Sequence, residues 1–149
     1  MIKRTLTIDN DLDESTKLYP FIGEVGFALH LDEVTLSPIN LAIEEAVVNS
    51  IQYAYPKGTK GKIELMVEWD EEKKQLVFTL KDQGVPFNPL AAKEADTTLG
   101  VQERPIGGLG ILLLRKLMSN VAYERTADGF NVLTMTKDLG KGIYFSSLC

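Results

Sequence analysis

From Ser37 to Pro56 the chain reads S-P-I-N-L-A-I-E-E-A-V-V-N-S-I-Q-Y-A-Y-P, and no other stretch limits the fold as strongly. Ile39, Ile43, Ala46, Val47 and Ile51 recur at spacings of three and four, the period of a helix with one apolar face. Such a face suits packing against a sheet. Ser37 is a good N-cap, and Pro38 suits the first helical position because it has no N–H to leave unpaired, so the helix is predicted to start there. On another face Glu45 and Asn49 stand one turn apart, with Gln52 following. A carboxylate beside a carboxamide puts a proton acceptor next to an uncharged oxygen ligand. That pairing suits a magnesium–phosphate site, where the ion keeps several waters and takes few protein ligands. Taken alone, the same two residues also describe the solvated side of an amphipathic helix.

The flanking chain alternates helical and strand patterns. Ile2 to Ile8 alternates, with Ile2, Arg4, Leu6 and Ile8 against Lys3, Thr5 and Thr7, as a strand with two unlike faces would. A helical stretch follows to about Leu31, with Leu18, Phe21, Ile22, Val25 and Leu29 as its apolar set; Pro20 requires it to begin late or bend. His30, the only histidine, falls near the end of this helix, where an imidazole is favourable for structural reasons, and is not expected to be catalytic. After a turn at Pro56 to Gly61, Lys62 to Trp69 and Gln75 to Leu80 read as a hairpin around a solvated charge run. Leu90 to Pro105 shows no period and is expected to be a loop, with a short helix at Ala91 to Ala95. Gly107 to Asn120 runs from glycines into an apolar helix, and Val121 to Arg125 with Phe130 to Thr136 form a closing hairpin. The 138–149 tail shows no pattern.

With 149 residues, no repeat and no linker, one domain spanning 1–149 is expected. Forty-four per cent hydrophobic and 25% charged residues place it among ordinary globular proteins. The net charge of −5 argues against a surface built to neutralise DNA or RNA phosphates, so no direct nucleic-acid partner is expected. The one cysteine, Cys149, rules out an intrachain disulfide and a cysteine metal cluster. No segment approaches the roughly 18 apolar residues of a membrane helix, and no signal-peptide run is present, so the expected location is the cytoplasm.

Two further segments carry chemistry. Asp82, in K-D-Q-G-V-P-F-N-P, follows directly on an apolar strand, and Gly84 behind it allows a ligand to approach the backbone closely. Asp, Gly, Asn and Pro are equally the residues of any turn. R-P-I-G-G-L-G, from Arg104 to Gly110, sets glycines immediately before a helix; free N–H groups and the positive end of the helix dipole there make an anion site, or simply a flexible loop. It is not a P-loop, because no Gly-Lys-Ser/Thr follows.

The order of these pieces is more specific than any one of them. A helix with E-x-x-x-N, a strand ending in D-x-G-x-x-F-N-P, a loop, and G-G-L-G opening a helix together resemble the ATPase/kinase superfamily of gyrase B, the 90-kDa chaperone, sensor histidine kinases and MutL. Within it, E-A-V-V-N-S-I-Q-Y-A-Y is similar to the central helix of bacterial anti-sigma factor serine/threonine kinases, the sporulation and general-stress switch proteins. The resemblance extends from the first strand to about Lys137. It implies an α+β fold of the Bergerat, histidine-kinase-like ATPase type, a two-layer α/β sandwich with a mixed, mostly antiparallel sheet and helices on one face.

It also implies roles. Asn49 matches the asparagine that ligates magnesium on the phosphates of ATP, and Glu45 the glutamate taken as general base. Asp82 matches the aspartate that accepts from the adenine amino group, with Gly84 keeping that pocket open. Gly108 and Gly110 match lid glycines near the phosphates; Gly107 belongs to the same turn, and Arg104 lies near a phosphate-contacting arginine. The family carries histidine where Gln52 stands, and Asn88 to Pro105 matches nothing in particular. The implied activity is a serine/threonine protein kinase that binds a sigma factor and phosphorylates an antagonist protein, often as a homodimer. The same residues would serve a nucleotide-dependent protein-binding module without turnover.

Overall fold

The computed structural model of the protein describes residues 2–91 and 108–140. Strands β1 (Lys3–Asp9), β2 (Lys62–Asp70), β3 (Gln75–Asp82), β4 (Asn120–Arg125) and β5 (Asn131–Asp138) form one sheet in the order β1-β2-β3-β5-β4. All pairings among the described residues are antiparallel. Helices α1 (Leu18–Ala28), α2 (Glu33–Asn49) and α3 (Gly108–Leu117) complete the chain order.

The period-two pattern of β2 and β3 decides where the helices go. Ile63, Leu65, Val67, Trp69, Leu76, Phe78 and Leu80 are buried in one cluster with Ile39, Ile43 and Val47 of α2 and Leu114 of α3. The intervening Glu64, Met66, Glu68, Val77, Thr79 and Lys81 are only half-buried. One face of the sheet is therefore covered by helices, the two-layer α+β arrangement that the resemblance implies.

Two helix ends carry the positional detail. At the end of α1, His30 adopts φ 57°. Its N–H donates to the Phe27 carbonyl at 3.2 Å, and the Leu31 N–H donates to the Gly26 carbonyl at 2.8 Å. That is a Schellman termination with histidine in the left-handed position. Pro20 is the third residue of α1, where its missing N–H would have had no helical acceptor.

The start of α2 corrects the sequence expectation. Asp32, not Ser37, is the N-cap: its carboxylate accepts from the Thr35 N–H at 2.8 Å, and Glu33 adds a second acidic group to the first turn. Pro38 lies inside the helix. It deprives only the Val34 carbonyl of a donor, and Val34 is 83% exposed, so water can serve that group. Beyond Asn49 the helix continues as one π-helical turn, Ser50–Ala54. No helix among the described residues is long and apolar enough to cross a membrane.

Candidate functional site

Three positions along the long helix matter to the site: Glu45, Asn49 and, at the end of the π turn, Ala54. Near its middle, the half-buried Glu45 rests against the first turn of α3. A Cβ on Gly110 would stand 2.7 Å from both Cγ and Cδ of Glu45, so glycine is what lets this carboxylate lie between the two helices. The opening N–H groups of α3 lack carbonyl partners in their own helix, and the helix dipole favours an anion there.

Asn49, one turn further on, is 4% exposed. Its carboxamide makes no hydrogen bond among the described residues. A buried polar group left unpaired costs about 1–3 kcal/mol, which a ligand oxygen or a metal ion would relieve. The π turn begins at the next residue; such turns interrupt helices most often at functional positions. A buried carboxamide and a carboxylate one turn away are a fitting donor set for a magnesium ion that takes few protein ligands.

At the far end of the π turn the helix meets β3. The Val85 N–H donates to the Ala54 carbonyl at 2.7 Å. A Cβ on Gly84 would lie 2.6 Å from the carbonyl carbon of Ala54 and 2.9 Å from its Cβ. Gly84 thus permits backbone to pack on backbone, and its carbonyl accepts from Arg125 Nη1 at 2.8 Å.

Asp82 is the last residue of β3 and only 3% exposed. Strand register places it opposite Asn131 of β5, itself 4% exposed. Asp82 Oδ1 accepts from the Gly84 N–H at 3.0 Å and from Asn131 Nδ2 at 2.8 Å. Both bonds fall on one oxygen, so Oδ2 is the acceptor left to a ligand among the described residues. Tyr55 braces the same corner: its hydroxyl donates to the Lys62 carbonyl at 2.6 Å and accepts from the Gln83 N–H at 2.9 Å. Burial pushes the Tyr55 phenol above its ordinary value, and the charge of Asp82 adds to this, while the Gln83 N–H acts in the opposite sense. Phe87 follows, with its ring 5.8 Å from that of Tyr53.

Of the residues singled out from the sequence, Glu45 and Gly110 meet directly, Asn49 continues the same helical line, and Gly84, packed on Ala54 at the end of that line, joins it to Asp82. Gly108 is the first residue of α3. Arg104 and Gly107 lie outside the described residues, as does most of the expected 90–105 loop, together with the tail beyond residue 140. Gln52, where the resembling family has histidine, is exposed and lines a groove of about 1450 Å³. That groove includes none of Glu45, Asn49, Asp82 or Gly110. Sequence reasoning missed Asn131, Tyr55, Tyr123 and Arg125. Only the strand register brings Asn131 opposite Asp82, so no local pattern could have marked it.

An antiparallel sheet with helices on one face, an acid–amide pair on the central helix and an aspartate at a strand end are the arrangement expected from the resemblance to the ATPase class. Residues 8–137 match the model of the histidine kinase-like ATPase domain, and the chain belongs to that family. It is 33% identical over 108 residues to the serine-protein kinase RsbW of Halalkalibacterium halodurans, a match covering 70% of this chain and 63% of that protein. It is 26% identical over 98 residues to the serine/threonine-protein kinase BtrW of Bordetella bronchiseptica, covering 66% of this chain and 67% of that protein. The chain thus spans a little under two thirds of the length of RsbW. Among solved structures, the RsbU and RsbW domains of a Mycobacterium tuberculosis protein align with a TM-score of 0.65 at 16% identity, over 92% of this chain and 32% of that one. The histidine kinase domain of a blue-light activated kinase from Erythrobacter litoralis aligns at 0.55 and 15% identity, over 87% of this chain and 63% of that one. At these identities the structural likeness concerns the fold alone.

Proposed function

We propose that this chain is an ATP-binding regulatory serine/threonine protein kinase that binds a sigma factor and phosphorylates an antagonist protein. The carrying observation is the buried carboxamide of Asn49, without a partner among the described residues, one turn from Glu45 on a helix that touches both α3 and the Asp82 corner. Sequence similarity to two protein kinases supports the same reading. Asp82 accepts a hydrogen bond from the 6-amino group of adenine. The start of α3, with Gly108 and Gly110, faces the phosphates, and Gly107 and Arg104 precede it in the chain. Asn49 would hold magnesium, which when bound would neutralise phosphate charge.

Phosphoryl transfer depends on positioning and charge neutralisation more than on covalent catalysis by the protein. Glu45 therefore has one task, to accept the proton of the attacking serine or threonine hydroxyl. A base so placed contributes about 10²–10⁴-fold in rate. The same reading places the protein in the cytoplasm as a single-domain kinase that can form a homodimer.

The test is transfer of labelled γ-phosphate to the antagonist protein that co-purifies with the chain. Glu45→Ala is expected to bind ATP as the parent does and to lose transfer. Equal transfer by mutant and parent would remove Glu45 from its role. Bound ATP with no label transferred by the parent would favour the nucleotide-dependent binding module instead.

A further inference from the structure

We infer that Asn131 is a positioning residue that sets nucleobase selectivity by locking Asp82. This rests on the nucleotide-binding reading above and assigns to it a residue that touches neither phosphate nor metal.

The Asn131 carboxamide has two donor hydrogens and two acceptor sites on its oxygen, and all four are used. Nδ2 donates to Asp82 Oδ1 and to the Val85 carbonyl, both at 2.8 Å. Oδ1 accepts from the Phe87 N–H at 3.1 Å and from the Tyr123 hydroxyl at 2.5 Å. With its hydrogen bonding complete and its side chain buried, Asn131 has nothing left to offer a base. Its effect must pass through the groups it holds.

Those groups form the corner that reads the base. Together with the Gly84 N–H, the Asn131 amide directs two donors at one oxygen of Asp82. The other oxygen is thereby kept as an acceptor in a fixed direction. Adenine presents an amino donor at its 6 position, whereas guanine presents a carbonyl acceptor there. A locked acceptor is matched by the first and repelled by the second. The same amide also ties the 85–87 segment, and with it the Phe87 ring beside Tyr53, to the aspartate. Without it, the carboxylate is free to turn, and both the attraction and the repulsion weaken. An asparagine here acts as a four-way clamp; neither a hydroxyl side chain nor a carboxylate can make all four bonds.

The experiment measures ATP and GTP affinities by calorimetry with magnesium for the full chain, for Asn131→Asp, which keeps the shape but replaces both N–H donors with a second carboxyl group against Asp82, and for Tyr123→Phe, which removes one clamp bond and keeps the ring. The parent is expected to prefer ATP. Asn131→Asp is expected to lower the ATP-to-GTP affinity ratio about tenfold, as the loss of one hydrogen bond to a charged group implies. Tyr123→Phe is expected to lower it by about threefold, the loss of one neutral hydrogen bond. If Asn131→Asp does not fold, the Tyr123→Phe ratio decides. A parent that binds ATP selectively while the folded variants keep its ratio overturns this inference and leaves the function intact. Parallel weakening of both nucleotides overturns it too, since that is a structural role. A parent that binds no ATP removes the function and the inference together.

Discussion

Gly110→Ala separates positioning from stability more cleanly than any change to Glu45 itself. The added Cβ would stand 2.7 Å from Cγ and Cδ of Glu45, and no closer group belongs to any other residue. Oε1 of Glu45 would be met first and closer still, so clearing it to an ordinary 3.4 Å moves the carboxylate oxygen by more than about 1 Å. Because the obstructed atoms belong to a flexible side chain, the cost is a rotamer adjustment of about 0.5–1.5 kcal/mol. Alanine in place of glycine within a helix contributes up to about 1 kcal/mol in the opposite direction. The two nearly cancel, so the melting temperature should stay within about 4 °C of the parent. Catalysis should not be spared, because a general base displaced by about 1 Å loses on the order of 10²-fold. Single-turnover transfer of γ-phosphate, run beside thermal denaturation and ATP calorimetry, reads all three quantities. Parental transfer rates in a folded Gly110→Ala protein would refute the assignment of Glu45. A melting temperature lower by more than about 8 °C would show instead that Gly110 exists for helix packing.

Gly84→Ala should behave oppositely, because the obstructing atoms are the backbone of Ala54 and cannot swing aside; a loss of about 1–3 kcal/mol in urea denaturation is expected, and none would contradict the close approach. Tyr55→Phe removes the hydroxyl that serves both the Lys62 carbonyl and the Gln83 N–H, and should cost about 1–3 kcal/mol. Its pH dependence has a definite sign: the folded phenol is pushed above its ordinary value, so its contribution is complete below about pH 10 and is lost as pH rises through the folded value. Stability of the parent should therefore fall more steeply above pH 10 than that of Tyr55→Phe, and parallel profiles would count against that assignment.

Much of this molecule was legible in residue order. The period-two runs of β2 and β3 and their polar connection predicted the hairpin, because alternation alone decides which side chains face the core. The apolar period of Ile39, Ile43 and Val47 located the central helix, and Glu45 with Asn49 followed from the same count. Its start was misread for a definable reason. Ser37-Pro38 is a good local signal, but Asp32-Glu33 five residues earlier offers a carboxylate cap that Thr35 takes up, and an exposed turn tolerates the proline.

What residue order could not supply was any relation fixed by close approach between distant elements. That Gly110 makes room for Glu45, that Gly84 admits the Ala54 backbone, and that Asn131 faces Asp82 all depend on where helices cross and how β3 and β5 register. The sequence by itself determined the elements, their buried faces and the acid–amide pair, since these follow from periodicities of two and 3.6 residues. The tertiary structure alone decided which glycines are contacts and which amide clamps the aspartate, because those are distances between residues far apart in the chain.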